Sequence, residues 1–162
     1  MIVARPTVGF VFAHPAHVVA FGFGAGLAPR APGTVGTLAA WPLGWIMAGL
    51  MPPALFVGLM AAFFAAGVWA CAQTGRRLGV GDHPGMVCDE MVAFMLILAL
   101  VPRELAWQLA AFVLFRLFDI TKPPPIRWFE RRHHGGFGAM FDDLLAAGYT
   151  LLALALAKRL LS

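Results

Sequence analysis

Only eight acidic residues occur in this chain of 162, and six of them fall in three polar clusters: Asp82 with Asp89 and Glu90, then Asp119, then Asp142 with Asp143. A carboxylate at membrane depth is costly and is kept there for a function or a partner. Carboxylates grouped in a chain otherwise short of charge have the makings of a site for a hard cation such as magnesium, which takes oxygen donors and keeps several waters. Two of the clusters also have a plain structural reading. Asp142-Asp143 is expected to open the last apolar helix and can cap it, while Asp119 stands three residues after Arg116, at salt-bridge spacing on a helix. The three clusters taken together favour the metal.

Two other segments bring groups that attract phosphate. Gly26-Leu-Ala-Pro-Arg-Ala-Pro-Gly-Thr-Val-Gly-Thr37 runs directly into an apolar helix. Gly33 and Gly36 let backbone amides approach a ligand, Thr34 or Thr37 can cap the helix, and its positive end, with Arg30, attracts an anion. Pro, Gly and Thr are also ordinary helix-start signals, and the spacing is not that of a P-loop. Further on, prolines 123–125 stop the preceding helix just after Asp119 and Lys122. Arg127, Trp128, Arg131 and Arg132 then have the basic and aromatic character of an interfacial helix, for which anchoring is the plain reading. His133 and His134 precede Gly135-Gly136 and stay outside the core site. Cys71 and Cys88 lack CxxC spacing and are expected in unrelated surroundings, with neither a disulfide framework nor a zinc site.

The elements that must position these groups are apolar. Hydrophobic residues make up 60% of the chain and charged residues 12%, where a soluble domain is roughly half apolar and a quarter charged. Lipid is the expected solvent. Residues 54–72 form a run of 19 without a charge, close to the roughly 20 that a bilayer requires. The runs 37–50, 91–101, 105–115 and 144–157 are shorter and read as thin spans, re-entrant pieces or buried core helices. Open sheet edges cannot face lipid, so the expected fold is all-α: a compact helical integral membrane protein and a single domain over residues 1–162. Residues 10–26 read as an interfacial or packed segment, and no removed leader is expected in residues 1–9. The net charge of +4 comes from 12 basic residues placed mostly between apolar runs, which suits contact with anionic headgroups and excludes nucleic acid as a partner.

Three blocks carry a family resemblance: Gly24-Ala-Gly-Leu-Ala-Pro-Arg-Ala-Pro-Gly-Thr-Val-Gly-Thr-Leu-Ala40, Asp82-His-Pro-Gly-Met-Val-Cys-Asp-Glu90, and Phe115-Arg-Leu-Phe-Asp-Ile-Thr-Lys-Pro through Gly135-Gly-Phe-Gly-Ala-Met-Phe-Asp-Asp143. In order and spacing they resemble phosphatidylglycerophosphatase A. One departure is Ala93, where family members often have Gly shortly after Asp-Glu. The resemblance implies a magnesium-dependent phosphatase of the bacterial inner membrane, multi-pass, that converts phosphatidylglycerophosphate in the bilayer to phosphatidylglycerol and phosphate.

Residue chemistry agrees with that implication. The chain has no cysteine-phosphatase loop after Cys88 and no Asp-x-Asp-x-Thr, which leaves metal-assisted hydrolysis. In this scheme Asp82, Asp89, Glu90, Asp119, Asp142 and Asp143 are the candidate magnesium ligands. Asp89, Glu90, Asp119, Asp142 and Lys122 are the catalytic candidates, and Arg30, Gly33, Thr34 and Arg127 are expected to bind the substrate phosphate. Whether water or an aspartate attacks stays open, as does the oligomeric state. The alternative class is a small transporter or ion-conducting protein, whose carboxylates belong near the middle of apolar segments rather than at helix ends. Basic loops place the site on the cytoplasmic face, with Lys158-Arg159 in conflict if the last helix crosses.

Overall fold

The structure is a computed structural model describing residues 6–161, all-α with no strand among the described residues. The reading of residues 1–9 as free of a removed leader falls largely outside that range. The chain folds as α1 (Val8–Phe12), α2 (Pro15–Ala20), a 3-10 segment (Gly22–Leu27), α3 (Pro32–Leu50), α4 (Pro53–Leu78), α5 (Cys88–Leu100), α6 (Leu105–Thr121), α7 (Ile126–Arg132) and α8 (Gly136–Leu161).

Two helices, Pro53–Leu78 and Gly136–Leu160, are long and apolar enough to cross a membrane. The second exceeds the 144–157 run because the glycine-rich stretch 136–138 is helical: Gly136 lies against the Val68 carbonyl and Ala72 of α4, a contact that any side chain would block. Large apolar side chains such as Leu55, Phe63, Trp69 and Leu152 stay exposed. Water would penalise them, whereas lipid accepts them.

At the centre is α5, thirteen residues long. At about 1.5 Å per residue it is too short to cross a hydrocarbon core of about 30 Å, so it is enclosed by protein. It packs on α3, α4 and α8, and Gly36 and Gly44 bring α3 directly onto Val87, Met95 and Leu98. Trp41 of α3 stacks on Phe112 of α6 at 5.6 Å, Phe94 of α5 meets Trp41 edge-on at 5.7 Å, and Phe115 lies 5.9 Å from Phe94. Such pairs contribute about 0.5–1.5 kcal/mol beyond the area they bury. The Trp41 indole also donates to Gln108 at 2.6 Å, joining α3 to α6.

The N-terminal helices correspond to the packed segment expected at residues 10–26, with α2 lying on α4 through a buried contact of 2.9 Å between His17 Nδ1 and Thr74 Oγ1. The expectation for the cysteines is corrected: Cys71 on α4 and Cys88 at the start of α5 meet in the core, Sγ to Sγ 3.4 Å, both free and buried. Their proximity comes from the crossing of two helices. If the exposed apolar faces lie in lipid, the protein stays in the membrane fraction through high-salt and alkaline carbonate washing; immunodetection in the supernatant after either wash would refute that arrangement.

Candidate active site

Acidic residues are favoured in the first turn of a helix, where the backbone N–H groups are unpaired and the dipole is positive. Asp89 and Glu90 occupy that turn of α5, and the Glu90 N–H donates to Asp89 Oδ1 at 3.0 Å. Asp143 joins them from α8, so that one carboxylate oxygen from each of the three lies within 4.8 Å of the others. The expected capping role of Asp142-Asp143 is corrected here. The helix starts at Gly136, which puts the two residues about two turns inside it. Neighbouring residues diverge by about 100° around a helix. Asp143 therefore joins Asp89 and Glu90, while Asp142 meets Lys122.

Two basic residues serve the carboxylates. Arg116, one position after the buried Phe115, places Nη1 2.8 Å from Asp119 and 3.6 Å from Glu90. Lys122 ends α6 in the left-handed region, φ 43°, a conformation that costs a non-glycine residue about 1–2 kcal/mol. From there its ammonium reaches Asp142 at 2.6 Å and Glu130 at 2.7 Å. Burial alone would lower the Lys122 pKa, but these two hydrogen bonds outweigh it and hold the group charged. Burial pushes the Glu90 carboxyl up to about 7, with Asp119 adding to the rise and Asp89 and Arg116 opposing it. Asp89 is driven well above the ordinary range by burial and then by Glu90 and Asp143. The remaining oxygens Glu90 Oε2, Asp142 Oδ1 and Asp143 Oδ2 are buried without a hydrogen-bond partner.

Around this centre the other sequence candidates separate. Asp82 is exposed on the rim of a cavity of about 530 Å³, lined also by Glu130, Arg131, His133, His134 and Asp142. Gly33 stands against Glu90: a Cβ there would overlap Oε1 and lie 3.0 Å from Arg116 Nη2. The threonine cap expected for α3 is absent. Ala31, φ 47°, is the N-cap, Thr37 instead donates to the Gly33 carbonyl at 2.8 Å, and Thr34 makes no side-chain hydrogen bond among the described residues. Arg30 is exposed and forms no ion pair among the described residues. Arg127 donates to the Thr121 carbonyl at 3.1 Å, satisfying the end of α6. Arg116 and Glu130 are the members that sequence reasoning left out. Arg116 was legible only as a partner of Asp119, and Glu130 is an acid outside the three clusters.

The profile of phosphatidylglycerophosphatase A matches residues 18–158. The chain belongs to the phosphatidylglycerophosphatase A family. A Haemophilus influenzae protein named phosphatidylglycerophosphatase A is 46% identical over 141 residues, covering 86% of each chain. An Escherichia coli protein of the same name is 42% identical over 134 residues, covering 82% of this chain and 77% of its own. A Bacteroides thetaiotaomicron protein provisionally named a phosphatidylinositol-3-phosphatase is 39% identical over 149 residues, covering 87% and 92%. No solved structure matches.

As a member of the phosphatidylglycerophosphatase A family the chain is a phosphatase associated with membranes, and its buried triad suits a cation. Asp89, Glu90 and Asp143 offer oxygen donors alone, the set a hard divalent ion prefers. Their two orphaned oxygens, Glu90 Oε2 and Asp143 Oδ2, need such a partner. Because Gly33 leaves the space that Glu90 fills, Gly33→Ala should displace that carboxylate and lower kcat/KM by about 10- to 100-fold. Helix content by circular dichroism should stay at the parent level. Full activity in this variant would show that the Glu90 position is immaterial.

Proposed function

We propose that the chain hydrolyses the phosphate monoester of phosphatidylglycerophosphate, releasing phosphatidylglycerol and inorganic phosphate, with magnesium held by Asp89, Glu90 and Asp143. The observation that carries this reading is the convergence of three buried carboxylates within 4.8 Å, in a chain whose relatives bear the name phosphatidylglycerophosphatase A. The reaction adds a water oxygen to phosphorus, breaks the bond to the glycerol oxygen and returns a proton to that oxygen. Magnesium, when bound, supplies Lewis acidity toward a phosphoryl oxygen and lowers the pKa of a coordinated water.

The chain's own residues divide the remaining work. Asp119 pins Arg116, and Arg116 fixes one edge of Glu90 while the other edge stays free for the cation. Asp142 and Glu130 hold Lys122 charged beside the cavity, where its ammonium offsets charge that builds on the transferring phosphoryl group. The free Oδ1 of Asp142 and the rim carboxylate of Asp82 are further oxygen donors on the cavity side. Arg30, Thr34 and Arg127, expected to bind the substrate phosphate, are given no step in this scheme. The carboxylates sit near the ends of α5, α6 and α8, which favours hydrolysis at a headgroup over ion passage through mid-span. The basic residues of that end, Arg76, Arg77, Arg131 and Arg132 among them, make it the cytoplasmic face of the inner membrane by the positive-inside rule. Lys158 and Arg159 at the far end of α8 are outnumbered.

Phosphate release and magnesium calorimetry on the same variants test the division of roles. Asp89→Asn and Asp143→Asn should lose nearly all turnover and weaken magnesium binding by more than about tenfold. Lys122→Ala should bind magnesium like the parent while kcat/KM falls by about 10²–10³. Assay of phosphatidylinositol 3-phosphate alongside phosphatidylglycerophosphate separates the two substrates named among the relatives. Parent-like metal binding and turnover in both Asn variants would eliminate the carboxylate centre.

A further inference from the structure

A second polar cavity lies at the end of α4, lined by His14, His17, Gln73, Arg76 and Arg77 and about 230 Å³ in volume. It shares no residue with the cavity beside Asp142. No carboxylate lines it, and every ion pair among the described residues goes to Arg116 or Lys122, so Arg76 and Arg77 keep their charge unmatched. The favourable dipole at a helix C-terminus accounts for two arginines in the last turn of α4. It does not account for two histidines and a glutamine gathered at the same concavity.

One of the two histidines is set as a donor by its neighbour, and the other is fixed in place. His14 Nδ1 accepts the Ala16 N–H at 3.1 Å as the cap of α2, which in the neutral ring leaves the proton on Nε2. His17 uses Nδ1 on Thr74 at 2.9 Å, and Phe10 stacks on its ring at 4.4 Å, so its position is fixed. With two guanidinium groups and the Gln73 amide, the cavity offers mainly N–H donors, the complement of a phosphate. Its place on the helix specifies the source of that phosphate. Arg76 and Arg77 end a helix long enough to cross the bilayer. Trp69, two turns earlier, is exposed and lies 6.3 Å from the His14 ring, where an interfacial indole belongs. Basic pockets beside spanning helices in this position receive anionic lipid headgroups.

We infer that this cavity binds the phosphodiester of an anionic phospholipid, as a lipid site separate from the carboxylate centre. Arg76 and Arg77 supply the charge, His14 and Gln73 the hydrogen bonds, His17 forms the wall beside Thr74, and the exposed face of α4 below them receives the acyl chains.

Phosphatidylserine is a suitable probe because it is anionic and is neither the proposed substrate nor the proposed product. Native mass spectrometry of the purified protein in neutral detergent should show phosphatidylserine bound in preference to phosphatidylcholine. In the Arg76→Ala/Arg77→Ala variant that binding should weaken by about thirtyfold, each arginine contributing about fivefold. Arg76→Lys/Arg77→Lys should stay within about threefold of the parent, and phosphate-release activity in both double variants confirms that they fold. Lys122→Ala should bind phosphatidylserine normally, which keeps this outcome distinct from failure of the catalytic proposal. Unchanged binding in the alanine variant, loss in Lys122→Ala instead, or displacement by millimolar inorganic phosphate would each overturn the lipid site.

Discussion

Three carboxylates with oxygens within 4.8 Å of one another, two of the residues buried outright and the third nearly so, repel each other. At an effective dielectric near 20 each charged pair costs on the order of 3 kcal/mol, comparable in sum with the whole stability of a small domain. The arrangement persists only if something neutralises it. Arg116 offsets one charge at most, and it is shared with Asp119. The positive end of α3 stands beside Glu90 through Gly33 and contributes a partial charge. What is left is a deficit that either protons or a cation must fill, and the rise of Glu90 to about 7 is the proton-filled answer. The same deficit would give a bound cation its affinity.

The scaffold around this deficit is built to keep it in place. Because α5 is short and enclosed, its first turn is fixed by contacts along its length, with the Trp41, Phe94, Phe112 and Phe115 rings behind it. Arg116 follows Phe115 directly, so the residue that anchors α6 in the core also sets the guanidinium against Glu90. Lys122 is positioned by a different device. The left-handed turn that ends α6 carries its ammonium to Asp142 and Glu130, tying α6, α7 and α8 together at the cavity. Packing thus governs the anionic half of the centre, and a strained helix end governs the cationic half.

Helical character and the acidic clusters were legible because both depend on composition and local spacing. Asp89 and Glu90 stood out as adjacent acids ahead of an apolar run, and a helix start explains their place without any tertiary contact. The separation of Asp142 from Asp143 was not legible. It depends on where α8 begins, and Gly135-Gly-Phe-Gly reads as a loop until the close approach of Gly136 to α4 is known. Gly33 was read as room for a phosphate, whereas the space it leaves is filled by Glu90. The meeting of Cys71 with Cys88 likewise depends on a helix crossing that no pattern within either segment encodes.

Helix ends are where such chemistry is compatible with lipid. A spanning helix satisfies its own backbone and can present a continuous apolar face, but its ends leave N–H and C=O groups unpaired and turn polar side chains toward water. The ends of α4 and α6 and the starts of α5 and α8 bring Arg77, Lys122, Asp89 and Asp143 into this polar region. The exposed apolar flanks of α4 and α8 are suited to contact with acyl chains. Under the proposed function, a lipid phosphate would reach the carboxylates without leaving the bilayer, since helix ends lie at the depth of the headgroups. Carboxylates in mid-span would force either the substrate to be lifted out or water to be drawn in, and the chain avoids both by keeping its three carboxylate clusters at the margins of its apolar runs.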